Sequence, residues 1–348
     1  MADVGIDVLL LSTGADLPYL TGYEAVPLER LTMLVLPRDG DAVLVVPRLE
    51  EPRVAEQPDA FSVLAWDETE NPVAIVANLV GSARTAGIGD HTWARFLVEL
   101  QDALPRVRFR RAVDVTGALR VVKDADEIAA LRIAARAVDD IAVSMRRERF
   151  AGRREIDVHR HLVERMLDAG HERANFAIVA AGENAASPHH DPGARVIQPG
   201  DVVLLDFGGT MRGYCSDITR MFAVGDPSSE VRDAYDVLVD AQEHGVSAAT
   251  VGTACADVDA AARRVITEAG YGAYFVHRTG HGIGTEAHED PYVVAGNATP
   301  LVPGHAFSVE PGIYVPGRFG MRLEDIVVAT QEGPERLNAA PRDLATVD

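Results

Sequence analysis

Apolar positions follow two different periods along this chain. Short runs of valine, leucine and isoleucine bounded by Gly, Pro, Asp and Asn predict strands, and longer stretches with apolar residues three and four apart predict helices. In the first part, Val8 to Leu11, Leu31 to Leu36 and Ala42 to Val46 read as strands. The last two are joined by Pro37-Arg38-Asp39-Gly40-Asp41, which has turn chemistry. Pro72 to Val80 reads as a helix with Asn71 as its cap and Pro72 in its first turn. Thr85 to Gly89 is a further strand, and Trp93 to Leu104 a further helix that ends before Pro105. This alternation predicts a small α/β domain that closes near residue 120.

A polar stretch from Lys123 to Glu127 marks the boundary. Helical spacing follows over Ile128 to Met145, with acids early and arginines late as the helix dipole favours, and again over Arg154 to Ala169. A strand at Ala177 to Ala180 and a loop from Gly182 to Pro192 lead to a strand pair, Val202 to Phe207 and Asp217 to Val224. Helices around Ser229 to Ala248 and Cys255 to Ala269 precede a second pair, Ala306 to Val315 and Met321 to Ala329. The order helix, helix, hairpin thus occurs twice. The pattern predicts an α+β chain of two domains, 1–120 and 121–348, the second a coarse duplication of helix-hairpin halves.

Each hairpin carries two acids in otherwise apolar strands. Folded symmetrically about Met211 and Arg212, the first sets Asp206 opposite Asp217. Folded about Gly317, the second sets Glu310 opposite Glu324. Facing Cβ atoms lie about 4.5–5.5 Å apart, where like charges repel, and burying unpaired carboxylates costs more still. Singly, each acid reads as a solvated strand residue, but two pairs in matching hairpins call for a compensating cation. His281, in Arg278-Thr279-Gly280-His281-Gly282-Ile283-Gly284, adds a nitrogen among glycines that let the backbone approach closely. Asp206, Asp217, His281, Glu310 and Glu324 together suit two bridged divalent ions. So oxygen-rich a set favours Mn²⁺, with Co²⁺, Zn²⁺ or Fe²⁺ as alternatives. Thr219, two residues past Asp217, is placed to support a ligand from the same strand face.

Composition narrows the partners. The chain has 348 residues, 47% of them hydrophobic, and a formal net charge of −20. Both parts are acidic, with 11 basic against 18 acidic residues in 1–120 and 22 against 35 in the remainder. That argues against nucleic acid or an anionic membrane as partner, since both need a basic footprint. Cys215 and Cys255 cannot make a disulfide framework and favour a reducing, cytoplasmic setting. The acidic start and the short apolar run Val8 to Leu11 fit neither a signal peptide nor a membrane span.

Five motifs carry a family resemblance: Leu204-Leu205-Asp206-Phe207-Gly208-Gly209, Cys215-Ser216-Asp217-Ile218-Thr219-Arg220, Gly280-His281-Gly282-Ile283-Gly284, Val309-Glu310-Pro311-Gly312-Ile313-Tyr314 and Arg322-Leu323-Glu324-Asp325. In this order they resemble the motifs of the pita-bread metallopeptidases, which include prolidase, aminopeptidase P and methionine aminopeptidase. Residues 1–120, with Tyr19-Leu20-Thr21-Gly22-Tyr23, are similar to the creatinase-type amino-terminal domain. Methionine aminopeptidases generally lack that domain, so the resemblance is to the prolidase and aminopeptidase P branch. It implies a creatinase-like amino-terminal domain followed by a pita-bread catalytic domain. It further implies that His189, in Ser187-Pro188-His189-His190, binds substrate or shuttles a proton, that His277 and His288 are accessory histidines, and that Arg322 is an active-site arginine.

The activity so implied is hydrolysis of the bond before proline by a hydroxide bridging two metal ions. Glu310 would shuttle the proton, His288 would polarise the carbonyl, and His277 and Arg322 would shape the pocket. Phe176 and Tyr214 are the expected walls of the proline pocket. A homodimer is expected, with residues Thr21 to Leu28 either reaching the partner's site or forming a plain loop. The expected substrate is a proline-containing dipeptide. The alternative is an Xaa-Pro aminopeptidase acting on longer peptides. Hydrolysis of a nonpeptide C–N bond as in creatinase, whose pattern lacks the metal ligands, and a noncatalytic binding role on the same fold both sit poorly with five ligands present, while the resemblance leaves open metal-using relatives that act on cyclic amidines.

Overall fold

The computed structural model describes residues 1–348 apart from position 56. The chain forms two compact units, Met1–Arg120 and Val121–Asp348. Among the described residues, no helix is long and apolar enough to cross a membrane.

The first unit contains β1 (Val8–Leu11), α1 (Asp16–Thr21), β2 (Met33–Pro37), β3 (Val43–Pro47), β4 (Ser62–Trp66), α2 (Pro72–Val80), β5 (Thr85–Ile88), α3 (Ala94–Ala103), β6 (Arg108–Arg111) and α4 (Val113–Arg120). Its strands make one mixed sheet in the order β4-β3-β2-β1-β5-β6. The apolar runs alternate between two cores, because successive strand side chains point to opposite faces. Val8, Leu10, Met33 and Val35 pack with Val76 of α2 and Phe96 and Leu100 of α3. Leu9, Leu11, Leu34 and Leu44 pack on the other face with Leu17 of α1 and Ala112. Asn71 caps α2 as expected, its side chain accepting from Ala74 N at 3.1 Å. The sequence reading missed α1, β4, β6 and α4. Arg-Phe-Arg-Arg makes an edge strand by pairing with β5, a long-range effect that propensity does not carry.

The second unit opens on α5 (Ala125–Met145), and the polar stretch before it is a capping box. Asp124 accepts from the Asp126 and Glu127 amides, and the Glu127 carboxylate accepts from Asp124 N. Its last turn holds no basic residue, since Arg146 and Arg147 lie past the helix end. There follow α6 (Glu155–Asp168), β7 (Arg173–Ala181), β8 (Val202–Met211), β9 (Tyr214–Cys215), β10 (Ile218–Val224), α7 (Ser229–Ala248) and α8 (Cys255–Glu268). The remaining strands are β11 (Gly280–Gly282), β12 (Glu289–Val293), β13 (Ala306–Val309), β14 (Gly312–Val315), β15 (Phe319–Arg322), β16 (Asp325–Thr330), β17 (Gly333–Arg336) and β18 (Ala345–Val347). One sheet runs β18-β10-β8-β7, a second runs β12-β11-β13-β16-β17, and β14 pairs β15. Helices α5 and α6 back the first sheet through Val138, Leu162 and Met166 against Val203, Leu205 and Phe207. Helices α7 and α8 back the second through Val246 and Val258 against Phe307, Val309 and Val327. Val202 and Leu204 face the other way, into the space between the halves, and period two puts Asp206 on that same inner face.

The two hairpins differ in register. The second folds about Gly317 as expected: Val309 faces Asp325 and Gly312 faces Arg322, so Glu310 and Glu324 fall at the same level. Its strands are interrupted there, at Glu310-Pro311 and Leu323-Glu324, rather than running through. The first hairpin departs from expectation. Asp206 pairs with Thr219, not Asp217, and Asp217 lies level with Gly208. The cause is turn chemistry. The loop is Arg212-Gly213, with φ of 53° and 77°, as a two-residue type I′ turn requires at both positions, so the fold axis sits one residue later. A Cβ on Gly208 would lie 2.0 Å from Ser216 O, so only glycine lets the Asp217 segment pass there.

Candidate metal centre

The hairpins meet at Thr219 and Glu324, which form an isolated bridge. Around this junction lies a cavity of about 640 Å³. Its lining includes all nine residues expected as metal ligands or catalytic groups: Asp206, Asp217, His281, Glu310 and Glu324, with His189, His277, His288 and Arg322. Ligand atoms of Asp217, His281 and Glu324 all lie within 4.8 Å of one another. Glu310 Oε1 is 3.3 Å from His281 Nε2. Asp206 accepts a hydrogen bond from Arg322 Nη2.

Backbone geometry explains how His281 arrives. β11 squeezes between β12 and β13, and a Cβ on Gly280 would lie 1.8 Å from Ser308 O. His281 Nδ1 lies 3.1 Å from Gly282 O and must donate to it, which leaves Nε2 with its lone pair toward the carboxylates of Glu310 and Asp217, at 3.3 and 3.9 Å. An acceptor aimed at acceptors is repulsive unless a proton or a cation lies among them. Burial, with the nearby His288, pushes the His281 imidazole down to about 3, so it is neutral, the form that binds metal.

The acids tell the same story. Asp206 Oδ1 and Asp217 Oδ1 are buried with no hydrogen-bond partner among the described residues. Burial, reinforced by the charges of Glu324, Asp206 and Glu310, holds the Asp217 carboxyl well above its ordinary value. Burial with the charges of Glu310 and Asp206 does so for Glu324. Glu310 is pushed up to about 7, mainly by burial and against the opposing pull of Arg322. Four carboxylates with Arg322 as their buried counter-charge form a set that fits divalent cations, and orphaned carboxylate oxygens are the positions such cations satisfy.

A network of neutral and charged donors frames the set. Thr219 Oγ1 donates to Glu324 Oε2 at 2.7 Å and accepts from Arg322 Nε at 3.2 Å. Arg322 Nη1 donates to Tyr314 Oη at 2.7 Å, and Tyr314 lies 2.9 Å from His277 Nε2. His277 Nδ1 is 2.6 Å from Arg278 O and so carries the proton, making Nε2 the acceptor of the tyrosine hydroxyl. Burial and the Arg322 charge push His277 down to about 4. His288 is packed ring to ring with His281, centroids 3.8 Å apart.

Of the two expected pocket aromatics, Phe176 lines the cavity and Tyr214 does not. Tyr214 Oη is 3.0 Å from Glu127 Oε1, beside the start of α5, because β9 turns its residue 214 away from the inner face. Ile178, Pro188 and Arg278 also line the cavity, and these, with Tyr314, were not foreseen. Arg278 stands in the quoted glycine-histidine motif, three residues before His281. Tyr314 is a hydroxyl in an apolar strand, a position that usually signals a hydrogen-bond partner.

The sequence can now be set beside known proteins. Residues 128–331 match the model of metallopeptidase family M24, and residues 1–122 match the creatinase/prolidase N-terminal domain. The chain belongs to metallopeptidase family M24. It is 43% identical to the probable dipeptidase PepE of Mycobacterium tuberculosis over 351 residues, covering 99% of this chain and 93% of that one. Its structure is similar to a prolidase from Thermococcus sibiricus, with TM-score 0.93, 37% identity and coverage of 99% and 96%. It is also similar to an X-Pro aminopeptidase from Thermotoga maritima, with TM-score 0.86, 30% identity and coverage of 99% and 98%. Membership of this family and the carboxylate-histidine cluster make the cavity a divalent-metal site of a peptidase.

Proposed function

We propose that this M24 peptidase is a prolidase: it binds a dipeptide with proline second and hydrolyses the bond before the proline. The observation that carries the dipeptide preference is Arg278. Its guanidinium lines the cavity, 4.5 Å from the ring centre of Tyr292 and 3.3 Å from His288 Nδ1, with no carboxylate partner among the described residues. A cation so placed suits the terminal carboxylate that a dipeptide presents one residue beyond the scissile bond, where a longer peptide has a neutral amide. Similarity to a dipeptidase and a prolidase supports the same reading, and the cavity is of dipeptide size.

Asp206, Asp217, His281, Glu310 and Glu324 would hold two divalent ions, Mn²⁺ by preference for so oxygen-rich a set. When bound, the ions supply Lewis-acid polarisation and acidify a water. The chain's own residues do the rest. Glu310, with Ser308 Oγ donating to its Oε1 at 3.1 Å, carries a proton to the leaving nitrogen, which in an Xaa-Pro bond has no hydrogen of its own. His288 donates to the developing oxyanion, and His189 contacts the leaving ring. The Arg322-Tyr314-His277 array holds a fixed wall, and Phe176 and Ile178 offer apolar surface to the proline. Residues 1–120 form the creatinase-like domain and 121–348 the catalytic domain of a cytoplasmic homodimer, in keeping with two buried, unpaired cysteines.

The test compares Mn²⁺-loaded enzyme on Ala-Pro and Ala-Pro-Ala, with a chelated control. Cleavage of Ala-Pro should dominate, and Arg278→Gln should raise KM for Ala-Pro by about 10–100-fold while leaving Ala-Pro-amide nearly unchanged. Preference for the tripeptide would instead favour the aminopeptidase reading, which the likeness to the Thermotoga protein supports. No metal-dependent cleavage of either would overturn both.

A further inference from the structure

Glu155 is the first residue of α6 and is 0% exposed, yet it is outside the cavity and contacts none of the groups assigned above. Its carboxylate collects hydrogen bonds from both ends of one loop. Oε1 accepts from Ala181 N at 2.9 Å and Asn184 Nδ2 at 3.0 Å. Oε2 accepts from Asn184 Nδ2 at 3.1 Å, lies 2.9 Å from His190 Nε2, and accepts from Gly193 N at 3.3 Å. The backbone returns the favour: Glu155 N donates to Arg195 O and Ile156 N to Gly193 O, so the first amides of α6 are capped by the far end of the same loop. Between these anchors stand Pro188, whose carbonyl accepts from Arg322 Nη1 at 3.4 Å, and His189, both lining the cavity.

We propose that Glu155 is a positioning residue for the peptidase site: its buried carboxylate gathers residues 181–193 and so aims Pro188 and His189 into the cavity. The argument is energetic as well as geometric. Burying a carboxylate is costly unless it is hydrogen-bonded, and the ionisable side chain beside this one is His190, itself 20% exposed. A residue placed for packing alone would be apolar. Here every acceptor direction is used on one loop, whose Ala185 packs into the core and whose Pro188 and His189 line the cavity.

A related anchor stands at another position of the second half, where the residue that matches Glu155 is Cys255, the first of α8. In the second half, Asp259 of α8, 1% exposed, accepts from Thr279 N at 3.0 Å and from Thr279 Oγ1 at 2.8 Å. Arg263 forks onto both Asp259 oxygens and donates to the carbonyls of Phe275 and His277. In each half, then, an acid on the second helix holds the backbone that carries pocket histidines. His190, next to the substrate-facing His189, is thereby accounted for as part of the anchor.

The inference rests on reading His189 as part of the active site, and the test separates the two. Glu155→Ala, Glu155→Gln, His189→Asn and the Glu155→Ala/His189→Asn double variant are loaded with Mn²⁺ and assayed on Ala-Pro, with hydrogen exchange and metal content measured in parallel. Glutamine keeps the length but has one acceptor oxygen for donors that now need two, so it stands between glutamate and alanine and remains available if alanine does not fold. Expected are a kcat/KM loss of about 10–100-fold for Glu155→Ala, a smaller loss for glutamine, and no further loss in the double variant beyond the larger single effect. Exchange should quicken in 181–193 and stay unchanged in β8 and β10, with metal content retained. If His189→Asn is silent, the reading of His189 fails, while quickened exchange in 181–193 still upholds the anchor. If exchange in the loop is unchanged, or if Glu155 and His189 losses multiply, the positioning role is overturned.

Discussion

The two acidic hairpins bring the same kind of group to the same cavity by different constructions. In the first, β8 runs unbroken through Asp206 while its partner breaks once, at Ser216-Asp217 between β9 and β10, and a type I′ turn at Arg212-Gly213 offsets the acids, Asp206 facing Thr219 and Asp217 level with Gly208. In the second, the acids are level, and both strands break to let Glu310 and Glu324 out of the ladder. The offset in the first frees Thr219 to stand opposite Asp206 and reach across to Glu324. Level acids in the second are relieved by Arg322, whose Nε is 3.8 Å from Glu310 Oε2. One hairpin separates its like charges along the strands and the other tolerates them side by side. The shared requirement is a set of carboxylates around His281, not a particular register.

That comparison breaks most sharply if either hairpin is dispensable. Asp217→Asn in the first and Glu324→Gln in the second should each lower kcat/KM by at least about 100-fold, since losing a ligand costs more than losing its supporting partner, and elemental analysis should find metal lost in both. An active, metal-replete variant of either would make one hairpin the sole holder of the site. Next in size is the junction. Thr219→Val removes the hydroxyl that links the hairpins and should weaken metal binding by about 10–100-fold in a metal titration, with Thr219→Ser restoring most of it.

Acid should test the second hairpin. His305, just before β13, is 4% exposed, and burial with the Lys123 charge pushes its imidazole down to about 4 from 6.5. The unfolded chain then holds the proton where the native state does not. The contribution is whole above pH 6.5 and is lost as pH falls from there through about 4. Denaturant unfolding should show a loss on the order of 1–2 kcal/mol between pH 7 and 5, diminished in His305→Gln. The smallest effects belong to the turns. Gly213→Ala and Gly317→Ala should each cost about 1–2 kcal/mol of stability, because both residues have positive φ. Arg212→Asn should stabilise the first hairpin by about 0.5 kcal/mol, relieving a strained non-glycine residue that the second hairpin lacks.

Much of the site was legible because its residues disturb strong local patterns. An acid after Val202-Val203-Leu204-Leu205, or between Val309 and Pro311, has no place in an apolar strand unless something compensates it. Helix α2 was read to the residue, since Asn71 caps it locally, and α7 was placed around the span it occupies. Tyr214 was misplaced because its neighbourhood depends on the start of α5, 87 residues away. Arg278 and Tyr314 were overlooked because an arginine before a glycine motif and a tyrosine in a strand are ordinary until the cavity is seen around them.

The sequence by itself determined which acids are out of place, that they come in two hairpins of a duplicated unit, and that a glycine-flanked histidine joins them, since these follow from strand period, turn residues and the cost of buried charge. The tertiary structure decided the register of the first hairpin, the Arg322-Tyr314-His277 array and the Glu155 anchor. Each depends on which backbone amides and side chains, distant in the chain, are left needing a partner once the sheets close, and local propensity holds no record of that.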